Sequence, residues 1–142
     1  MHYAAVCEVS ERLAADGSVI AGLDEAALRA HALGLVESGL VTAAVSLLHS
    51  DIQPAHELAV EKILRECGFQ HVSLSSRLAP FIRILPRAQS AVANAYLTGP
   101  VEQFIRDVAT PIAEGHDTVP LSLMTSAAAW SPPPPFSQRT CC

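Results

Sequence analysis

Between Asp24 and Ser38, the apolar residues Ala27, Leu28, Leu35 and Val36 recur at the spacing of one helical face, which predicts a helix. Asp24 is placed to cap its start, and Gly39 to end it, where a left-handed backbone is cheap only for glycine. Val41 to Leu48 breaks the period. It is short, nearly all apolar and rich in Val and Leu, the pattern of a strand buried on both faces. Residues 49–53 predict a loop. Pro54 suits the first turn of a second helix over Ala55 to Cys67, with Leu58, Ile63 and Leu64 on one side and Gly68 at its end. In His71 to Ser75, Val72 and Leu74 alternate with polar residues, as in a strand. Upstream, Asp16-Gly17 signals a turn and Ser18-Val19-Ile20 a short strand after it. Residues 18–75 thus predict strand, helix, strand, helix, strand, the alternation of an α/β layer with a mainly parallel sheet.

Pro80 and Pro86 interrupt the chain between Leu78 and Arg87. Ala88 to Leu97 is Ala-rich and predicts a helix, and Pro100 is placed to open a second helical run through Ile112. Val119 to Met124 predicts one more strand, confined to an edge by Pro120. From Ala127 the character changes. Ala127-Ala128-Ala129-Trp130 is followed by four prolines, Pro132 to Pro135, and a polar end. Such a stretch favours polyproline II and predicts a disordered tail.

Composition narrows the partners. Half of the 142 residues are hydrophobic and 16% are charged, which is enough apolar material for a core. The net charge is -5, and Lys62 is the one lysine, so no basic run offers itself to nucleic acid or to a membrane surface. Met1 to Arg12 has no basic segment followed by a long apolar one, and no apolar stretch approaches membrane-spanning length. The expected compartment is the cytoplasm. Cys7, Cys67, Cys141 and Cys142 form no CxxC pair, so a zinc or thioredoxin-like site has no support. Cys7 and Cys67 read as reduced cysteines.

The most tempting polar group is His49, Ser50, His56 and Glu57, at the carboxyl end of a predicted parallel strand, where α/β folds place ligands. The simpler reading is a loop whose side chains cap the Pro54 helix, with Glu57 complementing its dipole. Val60 follows at the position where a zincin motif needs its second histidine, so His56-Glu57 does not extend to one. Adjacent His49 and Ser50 would point apart on a strand end, and no glycine-flanked elbow surrounds Ser50, which argues against a serine nucleophile. Glu8 and Glu11 with Arg12 offer an acid cluster of catalytic type, but the simpler reading is a solvated strand or turn with a local ion pair. Asn94 could reach a ligand, while Tyr96 is expected to pack. Cys141-Cys142 imitates a double-cysteine prenylation signal, but no GxxxxGK[ST] loop accompanies it.

Four ordered segments carry a resemblance. They are Glu8-Val9-Ser10-Glu11-Arg12-Leu13 with Asp16-Gly17 and Leu23-Asp24-Glu25; Leu47-Leu48-His49-Ser50 with Pro54-Ala55-His56-Glu57; Val72-Ser73-Leu74-Ser75-Ser76; and Asn94-Ala95-Tyr96-Leu97 with Pro100. Together they resemble the 5-oxoprolinase/hydantoinase A family over roughly residues 8–126, and Ile84-Leu85-Pro86-Arg87 has a near counterpart in the eukaryotic-type 5-oxoprolinases. The resemblance implies a partial actin-like (ribonuclease H-like) ATPase layer. It implies residues 1–87 as the later part of the hydantoinase/oxoprolinase N-terminal domain, 88–126 as the start of the hydantoinase A domain, and 127–142 as a non-family tail.

The family's activity is ATP- and magnesium-dependent opening of a cyclic amide, such as 5-oxoproline to glutamate in glutathione metabolism. Its members are expected to be homo-oligomers with small-molecule partners. Acetone or acetophenone carboxylase-like chemistry is the related alternative. The family's glycine- and threonine-rich phosphate loops would lie outside residues 1–142. The expectation is therefore an internal fragment that binds neither ATP nor magnesium and is inactive alone, with no catalytic, cofactor or metal residue of its own. A truncated product or interaction fragment is the non-enzyme reading, and unpaired sheet edges would make it fold marginally. After Met124-Thr125-Ser126 the family continues Asp-Gly-Gly. Losing one base from codons for Asp-Gly-Gly-Leu-Val gives Ala-Ala-Ala-Trp-Ser, which is Ala127 to Ser131, so a shifted reading frame is expected from residue 127.

Overall fold

A computed structural model describes residues 3–79, 82–115, 123–124 and 130–131. The chain forms two units, Met1–Gly99 and Pro100–Cys142.

The first unit begins with a hairpin. β1 (Arg12–Leu13) pairs antiparallel with β2 (Val19–Ala21). The Asp16-Gly17 turn closes it: Gly17 has φ 85°, and Asp16 Oδ1 accepts from the Ser18 N–H at 2.9 Å and the Ser18 hydroxyl at 2.6 Å. This corrects the expected five-element parallel layer. So short a link can only reverse the chain, so β2 joins β1 in a separate antiparallel ribbon and all its residues stay exposed.

α1 (Glu25–Glu37) follows, with Asp24 accepting from the Ala27 N–H as its cap. Its exit has the double hydrogen bond of a Schellman end. The Gly39 N–H donates to Val36 O at 2.9 Å, the Leu40 N–H to Leu35 O at 3.1 Å, and Gly39 has φ 87°. β3 (Thr42–Val45), α2 (Ala55–Cys67) and β4 (His71–Leu74) then form a βαβ unit, with Val45 opposite Leu74 in the parallel ladder. α2 ends as α1 does. Gly68 (φ 113°) donates to Arg65 O, and the Phe69 N–H to Leu64 O at 3.0 Å.

The core lies between the two helices and the β3–β4 ladder. Leu28 and Ala32 of α1 meet Val60, Ile63, Leu64 and Cys67 of α2, and Val45, Leu47, Phe69, Val72 and Leu74 complete it. Leu58, expected on the buried side of α2, is 40% exposed instead. Glu57, Val60, Glu61 and Ile63 hold the inward face, so the apolar arc is rotated away from Leu58. Cys67 is buried, Cys7 is exposed, and both are free thiols.

After β4 the chain enters α3 (Ser75–Leu78) and then α4 (Ile84–Gly115). Two helical runs were expected around Pro100; a single helix is found. Pro86 is the third residue of α4, where an N–H has no helical acceptor to lose. Pro100 forfeits one interior bond, and the Thr98 hydroxyl donates to Asn94 O nearby. The first unit ends within α4, at Gly99.

The second unit, described by itself, contains α4 from Pro100 onward and a ribbon of β5 (Leu123–Met124) paired antiparallel with β6 (Trp130–Ser131). Trp130 and Ser131 were expected in an unpaired tail and instead form a strand. Residues 119–122 of the expected strand, Pro132 to Pro135, Cys141 and Cys142 lie outside the described residues.

Candidate functional site

Because β3 and β4 run parallel, the segments that leave them start at the same end of the ladder. The β3 exit carries Leu47 and Ser50, and the β4 exit opens α3 with Ser75 and Ser76. Glu57 projects from the first turn of α2 into this end and is fully buried. Five donors meet its carboxylate. Oε1 accepts from the Leu47 N–H at 2.9 Å, the Ser50 hydroxyl at 2.8 Å and the Ser75 hydroxyl at 2.6 Å. Oε2 accepts from the Ser76 N–H at 3.0 Å and the Ser76 hydroxyl at 2.7 Å.

Arg87, in the first turn of α4 and also fully buried, supplies the positive charge. Its Nη1 donates to the Ser50 hydroxyl oxygen and, at 3.2 Å, to that of Ser75; its Nη2 donates to Leu47 O at 3.0 Å. Nη1 stands 3.8 Å from Glu57 Oε1, and Nη2 stands 3.7 Å from Asp51 Oδ1. Those separations are charge contacts rather than hydrogen bonds. Ser75 joins the two ions: it accepts from Arg87 and donates to Glu57. Asp51 Oδ1 and Arg87 Nε have no hydrogen-bond partner among the described residues, so Coulomb attraction alone relates Asp51 to this cation.

Burial by itself pushes the Glu57 carboxyl pKa up. Hydrogen bonds from Ser75, the Ser76 and Leu47 amides and the Ser76 hydroxyl more than reverse that, and the carboxyl ends below its ordinary value of 4.5. The unfolded chain therefore takes up the proton first as pH falls. The stabilisation from Glu57 is complete above about 4.5 and is lost as pH drops through the lower folded-state value. Chemical denaturation across this acid range should show that loss. Glu57→Gln should start less stable at neutral pH and have a flatter acid limb; an unchanged limb would remove Glu57 from the acid response.

The residues singled out in the sequence separate. Ser50 and Glu57 come together, but they cap no helix start: the N-cap Pro54 receives no side-chain hydrogen bond, and both residues turn inward. His56 leaves the group. Its Nδ1 lies 2.6 Å from Glu11 Oε2, with both side chains largely buried, so Glu11 tethers the N-terminal segment to α2 and is not a solvated partner of Arg12. His49 adopts φ 60° in the turn after β3 and bonds through its backbone to Ile52 and Gln53. Asn94 Nδ2 donates to the Ser73 hydroxyl at 2.9 Å, fastening α4 to β4. Tyr96 does not pack as expected; it is 77% exposed. Ser75 and Arg87 escaped residue-level reasoning, because neither belongs to a local motif with a known chemistry. Their signal was the recurrence of Val72 to Ser76 and Ile84 to Arg87 in the family pattern.

The arrangement is closed. Glu57 has its oxygens saturated by donors, and both terminal nitrogens of Arg87 are engaged. A cation would have to displace those donors from Glu57, and a phosphate would have to compete for Arg87 inside a buried network. The described residues also hold no group of three His, Cys, Asp or Glu able to bind a metal ion. No helix among them is long and apolar enough to cross a membrane. The cluster does not fit a nucleotide or magnesium, and no chemical step is assigned to it. What it does is join β3, α2, α3 and α4.

The described residues define a mixed α/β segment built on small sheets. Residues 1–68 match the hydantoinase/oxoprolinase N-terminal region. The chain is 42% identical to the 5-oxoprolinase of Saccharomyces cerevisiae over 100 residues, which cover 70% of this chain and 8% of that protein. It is 33% identical to 5-oxoprolinase 1 of Arabidopsis thaliana, covering 95% of this chain and 12% of that protein. Among solved structures, the ATP-dependent caprolactamase of Pseudomonas jessenii superposes with a TM-score of 0.71 at 29% identity, over 78% of this chain and 16% of that one. The chain belongs to the hydantoinase/oxoprolinase family, and it spans about a tenth of the length of the curated relatives it matches.

Proposed function

We infer that this chain is a scaffold segment of an ATP-dependent cyclic amide hydrolase of the 5-oxoprolinase type, and that it does not itself hold the nucleotide or open the ring. The observation that carries this reading is the conjunction of 5-oxoprolinase relatives with a polar centre in which both oxygens of Glu57 and both terminal nitrogens of Arg87 are already engaged. Opening an unstrained lactam needs activation of a poor carbonyl electrophile and preorganised donors aimed at the charge that develops. The donors at the β3–β4 exit are aimed at Glu57 instead. In this reading the substrate class is a small cyclic amide, with 5-oxoproline and glutathione metabolism as the setting, the cytoplasm as the compartment and a homo-oligomer as the assembled state. ATP and magnesium act at segments outside residues 1–142.

The purified chain, supplied with 5-oxoproline and Mg-ATP, should form no glutamate above a blank in a coupled assay. Turnover that scales with chain concentration and disappears without ATP would overturn the scaffold reading.

A further inference from the structure

The β1–β2 hairpin contains a covalent weakness that its own geometry imposes. Asp16-Gly17 is the one Asp-Gly step in the chain, and no Asn-Gly step occurs. Gly17 has φ 85°, and a side-chain carbon there would come within 3.1 Å of Ile52 Cγ2, so the turn requires glycine. Asp16 supplies the other half of the turn, where its Oδ1 accepts from the Ser18 N–H and hydroxyl. The pair that closes the hairpin is thus also the pair most prone to cyclise, because glycine leaves its amide nitrogen unhindered beside an aspartyl carboxyl. In that step the Gly17 nitrogen attacks the Asp16 side-chain carboxyl carbon. A nitrogen–carbon bond forms, the amide proton and the carboxyl hydroxyl leave as water, and a cyclic imide results. Water then opens the ring at either carbonyl. One opening restores aspartate, and the other gives isoaspartate, in which the backbone runs through the side-chain carbons.

Closed, the hairpin opposes each part of this step. The Gly17 N–H donates to Ala14 O at 3.0 Å, which engages the attacking nitrogen, and the Ala14 N–H donates to Ser18 O at 2.8 Å, which holds the ends of the turn together. The carboxyl is turned toward Ser18. The Ser18 hydroxyl, and after it the Ser18 amide, keep its pKa below the ordinary value of 3.8, so at neutral pH the hydroxyl that must leave is scarcely present. We propose that Asp16-Gly17 is a site of spontaneous aspartyl isomerisation gated by opening of the β1–β2 hairpin, and that its isoaspartyl form is a substrate for protein carboxyl methylation. The rate in the folded chain then follows the population in which the hairpin is open. Isoaspartate lengthens the backbone inside the turn, so Leu13, 1% exposed, no longer stays buried while it pairs with Val19. Each opening that reaches the imide is thereby recorded in the covalent structure.

This chemistry needs only the turn, so its failure leaves the scaffold reading untouched. The test ages the full chain near neutral pH, in dilute buffer and in guanidinium chloride. After the denaturant is removed, isoaspartate is read by methyl transfer from labelled S-adenosylmethionine with an isoaspartyl-specific methyltransferase, and peptide mapping locates it. In denaturant, residue 16 should carry most of the isoaspartate and acquire it faster than in dilute buffer by about tenfold or more. Ser18→Ala should raise the rate in buffer about fivefold, the worth of one net hydrogen bond, and leave the rate in denaturant unchanged. Asp16→Glu should abolish the signal at this position. Where Ser18→Ala fails to fold, the two rates of the wild-type chain decide alone. Three outcomes overturn the proposal: equal wild-type rates with and without denaturant; a folded Ser18→Ala chain no faster than wild type in buffer; or isoaspartate absent from residue 16 in the denatured chain.

Discussion

Replacing Arg87 with Leu should destabilise the first unit by about 3–5 kcal/mol, measured by urea denaturation, because it leaves a buried carboxylate without its cation. The site explains why the loss is large. Arg87 and Glu57 are both fully buried, and the serines between them are oriented by both ions at once. Without Arg87, the Ser50 and Ser75 oxygens lose their donor and the Leu47 carbonyl loses its Nη2 contact. Arg87→Lys should recover little. A single ammonium cannot reach two hydroxyls and a carbonyl in the fork geometry that the guanidinium satisfies. The double variant Glu57→Leu/Arg87→Leu should cost clearly less than the two single losses summed, since it removes both charges together. Additive losses would show that the two residues act independently, contrary to the geometry.

A second large effect is expected at Phe69. It is 5% exposed and fills the core immediately beyond the α2 end. Phe69→Ala should cost about 3–5 kcal/mol from lost burial and the cavity left behind. Tyr96→Ala, at a side chain 77% exposed, should stay within about 0.5 kcal/mol. Comparable thermal shifts for the two variants would mean that the core is not where the structure places it.

Phe69 also shows what the sequence conceals. Gly68 was legible as a helix stop, because a left-handed end favours glycine. The residue after such a glycine is the one whose N–H reaches back to the helix, and its side chain commonly packs there. Phe69 does this, yet in the bare pattern it falls in a short connector between helix and strand. α1, α2, β3 and β4 were legible for local reasons: a capping aspartate, two terminal glycines and a change from helical to strand spacing. The pairing of β2 was not, since the same few residues suit a parallel or an antiparallel neighbour and only the length of the Asp16-Gly17 link decides. The helix through Pro100 was masked by the usual meaning of an interior proline.

The site was half legible. Ser50 and Glu57 stand out as polar residues in an apolar neighbourhood, and their meeting follows from α2 starting where β3 ends. His56 looked equivalent because it adjoins Glu57. A helix turns about 100° per residue, which is enough to send it to Glu11 instead. Arg87 lies thirty residues beyond Glu57, across two elements and two prolines, so no periodicity could have paired them.

That separation has a consequence for biosynthesis. As the chain leaves the ribosome, Leu47, Ser50, Glu57, Ser75 and Ser76 all emerge before Arg87. Until the first turn of α4 is out, the nascent β3–α2–β4 unit contains a carboxylate with its hydroxyl donors but without its cation. Domains tend to fold as they emerge, amino-terminal part first. Here the last side chain to arrive brings the cation that faces Glu57 and Asp51, so this unit can reach its settled form only after translation has passed residue 87 and the early helical residues of α4 have cleared the exit tunnel.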